Sequence, residues 1–306
     1  MLLIRHLFSA RLALLRLILG AVLISFSGVF VLLVEVGPVA SAFWRTMLGG
    51  LMLLVWLLYK RHKLVPGWRS VFWLAIGGFM FAVDLFAWHK SIFFIGVGLS
   101  TLLANFQVFV MAAAAVLLFG ERMTRIQVLA IPLAVFGLYL IVGHDWSTLD
   151  SNSRAGVYFG LITAVAYASY MLCLRQARWA APYRDAAADL CVASFFSAFF
   201  LYFMAQYSAE AISITRLSDF AWLSAYALIG QVLGWLFISS SLPYVPTVHI
   251  GLALLLQPTL SYLWGVLIFN RSVSAMEVVG AGIAIFAIFL GSRSAPPPAS
   301  SESAKS

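Results

Sequence analysis

Two charged residues of opposite sign, Arg45 and Asp84, lie inside long apolar stretches of the sequence. An ionisable group in hydrocarbon is costly unless it is paired or hydrated, so each is a candidate for function. Arg45 follows Pro38, and Asp84 precedes Lys90, by so few residues that both are expected roughly 9–10 Å from the same membrane face. Equal depth permits a structural salt bridge. It also permits Asp84 to respond to protons or cations with its charge biased by Arg45, and solvation near a cavity mouth is a third reading.

Several uncharged polar side chains are expected about 14–18 Å from one face, near the bilayer centre where transporters hold solutes. Asn105 and Gln107 are about 200° apart on an α-helix, so only one of them is expected to face a common cavity. Gln107 is favoured because Gln257 repeats it 150 residues later. The alternative for each amide is an interhelical hydrogen bond, worth ~0.6–2 kcal/mol. The candidate substrate-binding polar residues are Asn105, Gln107, Tyr167, Gln231 and Gln257.

Aromatic residues recur on the helix faces that carry these polar groups. Trp88 shares a face with Asp84 by i, i+4 spacing, Tyr170 lies three residues after Tyr167, and Trp235 lies one position from the residue that repeats Asp84. Such faces predict an aromatic, weakly acidic cavity suited to flat or cationic organic solutes. Membrane-interface and packing roles are the alternative for the same residues.

The remaining candidate ligands are scattered. His89 and His249 fall near the ends of apolar stretches, where a solvated or capping role is expected. Cys173 and Cys191 lie inside apolar stretches and pair with no histidine at metal-ligand spacing. The sequence therefore predicts no metal site, no cofactor and no disulfide framework.

The composition is that of a membrane protein. Hydrophobic residues make up 63% and charged residues 10% of the 306 positions, which excludes a water-soluble globule. The net charge of +8 is read as the basic bias of cytoplasmic loops rather than as a nucleic-acid surface. The basic, then apolar N-terminus has no small-residue cleavage site, so it is read as a retained first span.

Charges, prolines and turn residues divide the chain into ten apolar segments, each long enough to cross a bilayer as a helix. The predicted fold class is all-α integral membrane. The predicted spans are 14–34, 38–59, 70–89, 95–118, 124–142, 155–177, 186–205, 219–241, 246–269 and 273–291.

The basic residues support this division. Of the 19 Lys and Arg, fourteen fall on the side of the N-terminus, four fall on the other side, and Arg45 lies within a span. Because basic residues collect in cytoplasmic loops, both termini are predicted to be cytoplasmic, in a bacterial inner membrane.

The chain also divides into two halves of five spans, and an odd number per half requires any duplication to be inverted. Gln107 matches Gln257, and Phe136 matches Phe286, at a shift of 150 residues. The predicted organisation is a basic N-terminal segment (1–13), a first repeat (14–143), a periplasmic linker (144–154), a second repeat (155–292) and a disordered cytoplasmic tail (293–306).

Three stretches carry a family resemblance: GPVASAFWRTMLGGLMLL (37–54), the stretch 100–143 with its FGER, and GVYFGLITAVAYASYMLCLRQA (156–177). They resemble the EamA-like branch of the drug/metabolite transporter superfamily. In the second half FGER is replaced by FNRS (269–272), so a shared role for that loop is in doubt. The resemblance implies a ten-helix secondary transporter with inverted repeats and a central cavity, often exporting metabolites or amphipathic compounds.

The expected function is therefore export of small amphipathic or amino-acid-like metabolites or drugs by alternating access, with proton coupling through Asp84 as an option. Neither a P-loop nor a soluble domain that could hold a nucleotide is visible in the sequence. Uptake or exchange by the same fold, or a non-transporting lipid-flipping subunit, are the alternatives. An enzyme is not expected. The expected partners are a small-molecule substrate and the lipid bilayer but no nucleic acid, with the chain a monomer or homodimer.

Overall fold

The computed structural model describes residues 2–61, 67–119, 125–140, 147, 149–180, 185–241, 256–270 and 273–292. The predicted tail, His249, and the first part of the predicted span 246–269 lie outside these residues. Within the described ranges the secondary structure is helical, and they contain no β-strand. A π-helical segment, Ala227–Gly234, lies between the α-helices that end at Tyr226 and begin at Trp235. The α-helices are α1 (Leu2–Ser25), α2 (Ser27–Leu33), α3 (Pro38–Tyr59), α4 (Trp68–Ala104), α5 (Gln107–Phe119), α6 (Arg125–Leu138), α7 (Ser151–Ala180), α8 (Ala186–Tyr207), α9 (Leu217–Tyr226), α10 (Trp235–Ser241), α11 (Leu256–Phe269) and α12 (Ala275–Ser292).

The described part of the chain contains 6 helical segments that are long and apolar enough to cross a membrane. Three shorter apolar helices, in α6, α11 and α12, accompany them. The six segments are Leu12–Leu33, Pro38–Tyr59, Trp68–Met111, Ser151–Leu174, Ala186–Tyr207 and Leu217–Ser241.

The helix α4 is kinked at Gly96, which divides it into two arms. This glycine has φ 80° and ψ 165°, a backbone conformation that interrupts the helix and that a side chain would strain. Trp88 and Thr101 are 13 residues apart, or about 20 Å along a straight helix. Nevertheless the Trp88 indole N–H donates to the Thr101 hydroxyl at 3.3 Å. The kink at Gly96 therefore brings side chains of the two arms of α4 into contact.

Most of the helix packing joins the first half of the chain to the second. The helix α3 packs on α8, α4 on α7, α8 and α11, α6 on α12, and α1 on α10. The main hydrophobic core lies between α3, α4, α7 and α8, with Phe81, Leu85 and Tyr170 among its buried side chains. Side chains that face the centre of the bundle are thus held from both halves.

The contact between α6 and α12 depends on small residues. A Cβ atom built on Gly137 would lie 2.7 Å from the Ala284 backbone nitrogen and 2.8 Å from the Gly280 carbonyl oxygen. Because both neighbours are backbone atoms, they cannot move aside as a side chain could. Glycine therefore allows the two helices their close approach.

Candidate functional site

A cavity lies between the two halves of the chain. It contains about 550 Å³ of space not filled by protein atoms, counting its open mouth. Its lining residues are Ile24, Ser27, Arg45, Phe81, Asp84, Leu85, Trp88, Thr101, Ala104, Asn105, Gln107, Thr163, Tyr167, Trp235, Gln257 and Ser261.

Eight of the candidate residues identified from the sequence meet at this cavity. They come from α3, the first arm of α4, the junction of α4 with α5, α7, α10 and α11. Two further candidates, Tyr170 and Gln231, do not line it. Those that do are Arg45, Asp84, Trp88, Asn105, Gln107, Tyr167, Trp235 and Gln257.

The expectation that only one of Asn105 and Gln107 faces the cavity is wrong. The helix α4 ends at Ala104 and α5 begins at Gln107, so the two residues do not share a continuous helix. The Asn105 side-chain amide donates back to the Thr101 carbonyl at 2.8 Å, which caps the end of α4. The break between the helices removes the 200° separation, and both amides line the cavity.

The aromatic wall consists of two layers. Tyr167 and Trp235 line the cavity, with ring centroids 5.8 Å apart. Tyr170 lies behind them, stacked on Phe81 at 4.3 Å and edge-on to Trp235 at 5.5 Å. Tyr170 therefore supports the wall rather than forming it.

Two nitrogen donors at the cavity lack hydrogen-bond acceptors within the described part of the chain. These are the side-chain amide nitrogen of Gln257 and the indole nitrogen of Trp235, and both atoms are buried. A buried donor without a partner is costly, and a solute or water that accepts from it relieves that cost. The two groups are thus suited to bind an acceptor in the cavity.

Arg45 and Asp84 face the same cavity but form no ion pair with each other. The guanidinium of Arg45 donates instead from Nε to the Gln231 side-chain oxygen at 3.1 Å, and from Nη1 to the Tyr226 hydroxyl at 2.9 Å. It also lies 4.9 Å from the centre of the Tyr226 ring, in cation–π contact. The depth predicted from the sequence is the same for both residues, but in the structure Arg45 is turned toward other partners.

Gln231 is fully buried and reaches Arg45 from the π-helical segment. Its amide nitrogen donates to the Ser194 hydroxyl at 3.0 Å, so that both ends of the amide are bonded. Tyr226 and Gln231 would be about 140° apart on an α-helix. Because bonding from i to i+5 widens the helix here, both side chains contact Arg45.

His89, expected at a solvated interface, is fully buried. Its Nδ1 lies 2.6 Å from the Leu85 carbonyl oxygen, and its Nε2 lies 3.2 Å from the Tyr226 hydroxyl. Sequence reasoning missed Tyr226, whose only signal was its position five residues before a buried glutamine. It also missed Ser194, which nothing in the sequence distinguished from other small residues.

A second polar cluster joins the halves at the end of the bundle where α3 begins. The Glu210 carboxylate accepts from the backbone nitrogens of Val39 at 2.8 Å and Ala40 at 3.2 Å, and forms an ion pair with Lys90 at 2.8 Å. Glu35 and Arg216 form a second, more exposed pair nearby. At this end of the bundle the two halves are therefore joined by hydrogen bonds and ion pairs.

Among the described residues, no three His, Cys, Asp or Glu side chains come together in a way that could hold a metal ion. The described residues that line the cavity thus offer hydrogen bonds, one cation, one carboxyl group and aromatic faces.

Comparison with known proteins agrees with this architecture. The chain is 23% identical over 277 residues to an uncharacterized transporter of Archaeoglobus fulgidus, covering 90% of this chain and 94% of that one. A solved crystal structure of another protein has the same fold, with a TM-score of 0.62 and 16% identity, over 91% of this chain and 96% of the other. The model of the EamA-like transporter family matches twice, at residues 11–143 and 154–293. Together these two matches cover most of the chain, which is a multi-pass membrane protein and belongs to the EamA-like transporter family.

Proposed function

We propose that the protein is a secondary transporter with ten membrane spans in two inverted five-helix repeats, and with both termini in the cytoplasm of a bacterial cell. The packing supports the repeat, because helices at equivalent positions of the two halves make equivalent contacts. Thus α3 packs on its counterpart α8 and α6 on its counterpart α12. The contact of α1 with α10 has its equivalent in that of α7 with α4.

The cavity between the halves is the observation that carries the transport function. Residues of both repeats line it, so any relative rotation of the repeats changes its walls and its openings. Gln107 and Gln257, which match across the repeats, both contribute amides. Alternating access needs this arrangement, in which one site is shared by two moving halves.

The lining favours a small amphipathic or amino-acid-like solute, and export is the proposed direction. Phe81, Trp88, Tyr167 and Trp235 offer faces for an apolar or flat group, while the amides offer hydrogen bonds. Arg45 and Asp84 offer one charge of each sign.

Asp84 is the proposed coupling residue. Its side chain is 5% exposed, lines the cavity, and receives no hydrogen bond from the described residues. A carboxyl group in this position can exchange protons or cations with the cavity, and the cost of its charge changes as the cavity opens or closes.

Transport in proteoliposomes tests this function. For a solute that the wild-type protein carries, Gln107→Ala and Gln257→Ala are expected to weaken the apparent affinity by about fivefold or more, because a polar partner is lost in a dry site. Gln206→Ala is the matched control, since Gln206 is exposed and does not line the cavity. Equal transport by the wild type and both cavity variants would contradict a midplane site.

Imposed pH gradients test coupling and direction. Asp84→Asn is expected to abolish the response to the gradient while solute exchange continues. Flux that is faster out of the cytoplasmic side supports export, and faster flux in the other direction would contradict it. A gradient response that survives in Asp84→Asn would assign coupling to another group.

Cysteine labelling tests the topology. Ser151→Cys, at the start of α7, is expected to react with a membrane-impermeant reagent in intact cells, whereas Ser306→Cys is expected to be protected. The two native cysteines, Cys173 and Cys191, are buried and give little background. Labelling of Ser306→Cys from outside would contradict cytoplasmic termini.

A further inference from the structure

A chain of hydrogen bonds leads from Arg45 away from the cavity. Gln231 accepts from Nε of Arg45 and is itself bonded to Ser194 at 3.0 Å. Tyr226 accepts from Nη1 of Arg45 and is bonded to His89 at 3.2 Å. All of these residues are buried, so the bonds are made in a medium of low dielectric constant, which strengthens them.

The direction of each bond in this chain is fixed by its last member. The Leu85 carbonyl can only accept, so Nδ1 of His89 carries the proton that it receives. In neutral His89, Nε2 is then an acceptor, and the Tyr226 hydroxyl donates to it. The Tyr226 oxygen is left to accept from Arg45. Every bond is satisfied in this one arrangement, which holds the guanidinium in place.

The bonds to Gln231 and Tyr226 leave part of the guanidinium available. An arginine has five N–H donors, and no described residue accepts from Nη2 of Arg45. The side chain lines the cavity, as does the Asp84 carboxyl group, yet the two do not come within the 4.0 Å of an ion pair. Among the described residues, no carboxylate therefore lies within 4.0 Å of the guanidinium at the cavity wall.

Gly49 is the reason that Gln231 can lie beside Arg45. It is one helical turn after Arg45 on the same face of α3. A Cβ atom on Gly49 would lie 2.5 Å from Cγ and 2.8 Å from Cβ of Gln231. Any larger residue would displace the Gln231 side chain from the guanidinium.

We propose that Gln231, Tyr226 and His89 are positioning residues that hold the Arg45 guanidinium at the cavity wall, where it binds a carboxylate of the transported solute. This inference rests on the transporter function proposed above. A planar guanidinium with free donors matches a carboxylate in shape and charge. The Asp84 carboxyl group lines the same cavity and disfavours a doubly charged anion there.

Binding to the purified full-length protein in detergent tests the proposal, with phenylalanine and phenylalaninamide as probes. The two probes share the ring and the ammonium group and differ in the carboxylate. Isothermal titration is expected to show that the wild type binds phenylalanine about tenfold or more tightly than the amide, as one charge-assisted contact predicts. Equal affinities, or binding of neither probe, would overturn the assignment of Arg45.

Gln231→Glu separates positioning from folding. Glutamate keeps an acceptor beside Nε of Arg45 but neutralises the guanidinium, so we expect unchanged or higher thermal stability together with loss of the preference for phenylalanine. Tyr226→Phe and Gly49→Ala are expected to reduce the same preference by releasing the guanidinium. A preference that persists in all three variants would overturn the positioning role.

Ser70→Ala is the matched control. Ser70 is buried and donates to the Ala177 carbonyl at 3.1 Å, without lining the cavity. Its loss is expected to lower stability and to leave the probe preference intact; loss of the preference in this variant too would overturn the assignment. The flux of phenylalanine in proteoliposomes is measured separately. Preference for phenylalanine without flux would contradict the transporter function and support the carboxylate site. Flux without this preference would support the transporter function and contradict the carboxylate site.

Discussion

Replacing Glu210 with glutamine is expected to destabilise the end of the bundle at which α3 begins. The carboxylate accepts from the Val39 and Ala40 nitrogens at 2.8 and 3.2 Å, and pairs with Lys90 at 2.8 Å. It is mostly buried, with 13% of the side chain exposed. Gly37 makes this approach possible, because a Cβ atom there would lie 2.4 Å from a Glu210 carboxylate oxygen.

The magnitude follows from the charge that the substitution removes. Hydrogen bonds to a charged group contribute about 1.5–3 kcal/mol, against about 0.5–1.5 kcal/mol for neutral ones, so two backbone bonds lose roughly 2 kcal/mol together. A carboxylate at the N-terminus of a helix adds about 0.3–1 kcal/mol. We therefore expect Glu210→Gln to lower the unfolding free energy by about 2–3 kcal/mol.

Thermal unfolding in detergent measures this loss, and about 2 °C per kcal/mol in a chain of this size gives a fall of about 4–6 °C. Glu35→Gln is the comparison, because Glu35 also pairs across the halves with Arg216 but is 64% exposed. Exposed pairs contribute at most about 1 kcal/mol, so a fall below about 2 °C is expected there. Equal shifts for the two variants would refute the reasoning from burial.

Two further substitutions test local features of the fold. Gly137→Ala is expected to lower the melting temperature, because the new Cβ atom would meet the Ala284 backbone at 2.7 Å. Gly282→Ala, where a Cβ atom would have nothing within 4 Å, should leave the melting temperature unchanged or raise it. Equal effects would contradict the close contact of α6 with α12. The hydrogen bonds from Ser153 lower the pKa of the Asp150 carboxyl group. The stability that these bonds contribute is therefore present above the pKa of Asp150 in the unfolded chain, and is lost as the pH falls through the lower pKa of the folded protein. The Ser153 backbone amide donates to Asp150 at 2.9 Å. Asp150→Ala should therefore speed hydrogen exchange of this amide at neutral pH but not in strong acid. The same acceleration at both pH values would contradict a role for the carboxylate charge.

The position of a residue along its helix could be predicted from the sequence, and most of the candidate residues chosen in this way line the cavity. Gln107 and Gln257 were identified by counting residues from the span ends and by their match across the halves. Both line the cavity, as do Tyr167 and Trp235. Counting works because a regular helix rises by a constant amount per residue.

Rotation about the helix axis was the quantity that the sequence could not supply. The sequence predicts the same membrane depth for Arg45 and Asp84, but the hydrogen-bond partners of Arg45 are Gln231 and Tyr226, which lie on another helix. Those two residues reach it through a π-helical segment, and no local pattern in so apolar a sequence marks where helical bonding changes from i+4 to i+5.

One helix break and one misplaced span end caused the other differences. The interruption after Ala104 places Asn105 in the cavity, against the expectation from a continuous helix. His89 was expected at an interface because Lys90 follows it, but Lys90 is held by Glu210, and His89 lies buried beside Tyr226. A charged neighbour therefore marks the end of a span less reliably when the charge has a distant partner.

The packing between halves has a consequence for biosynthesis. Arg45 is made early, yet its hydrogen-bond acceptors Tyr226 and Gln231 follow it by 181 and 186 residues. An arginine in an inserting helix is costly, by about 2.5–3.5 kcal/mol at the helix centre and by less toward its ends, and during synthesis of the first half neither acceptor exists to offset this cost. The nascent chain thus holds an unsatisfied cation in or near the bilayer until α9 and the π-helical segment have left the ribosome. The first half therefore cannot complete the hydrogen bonding of its own arginine, and this part of the site forms only once the second half has been made.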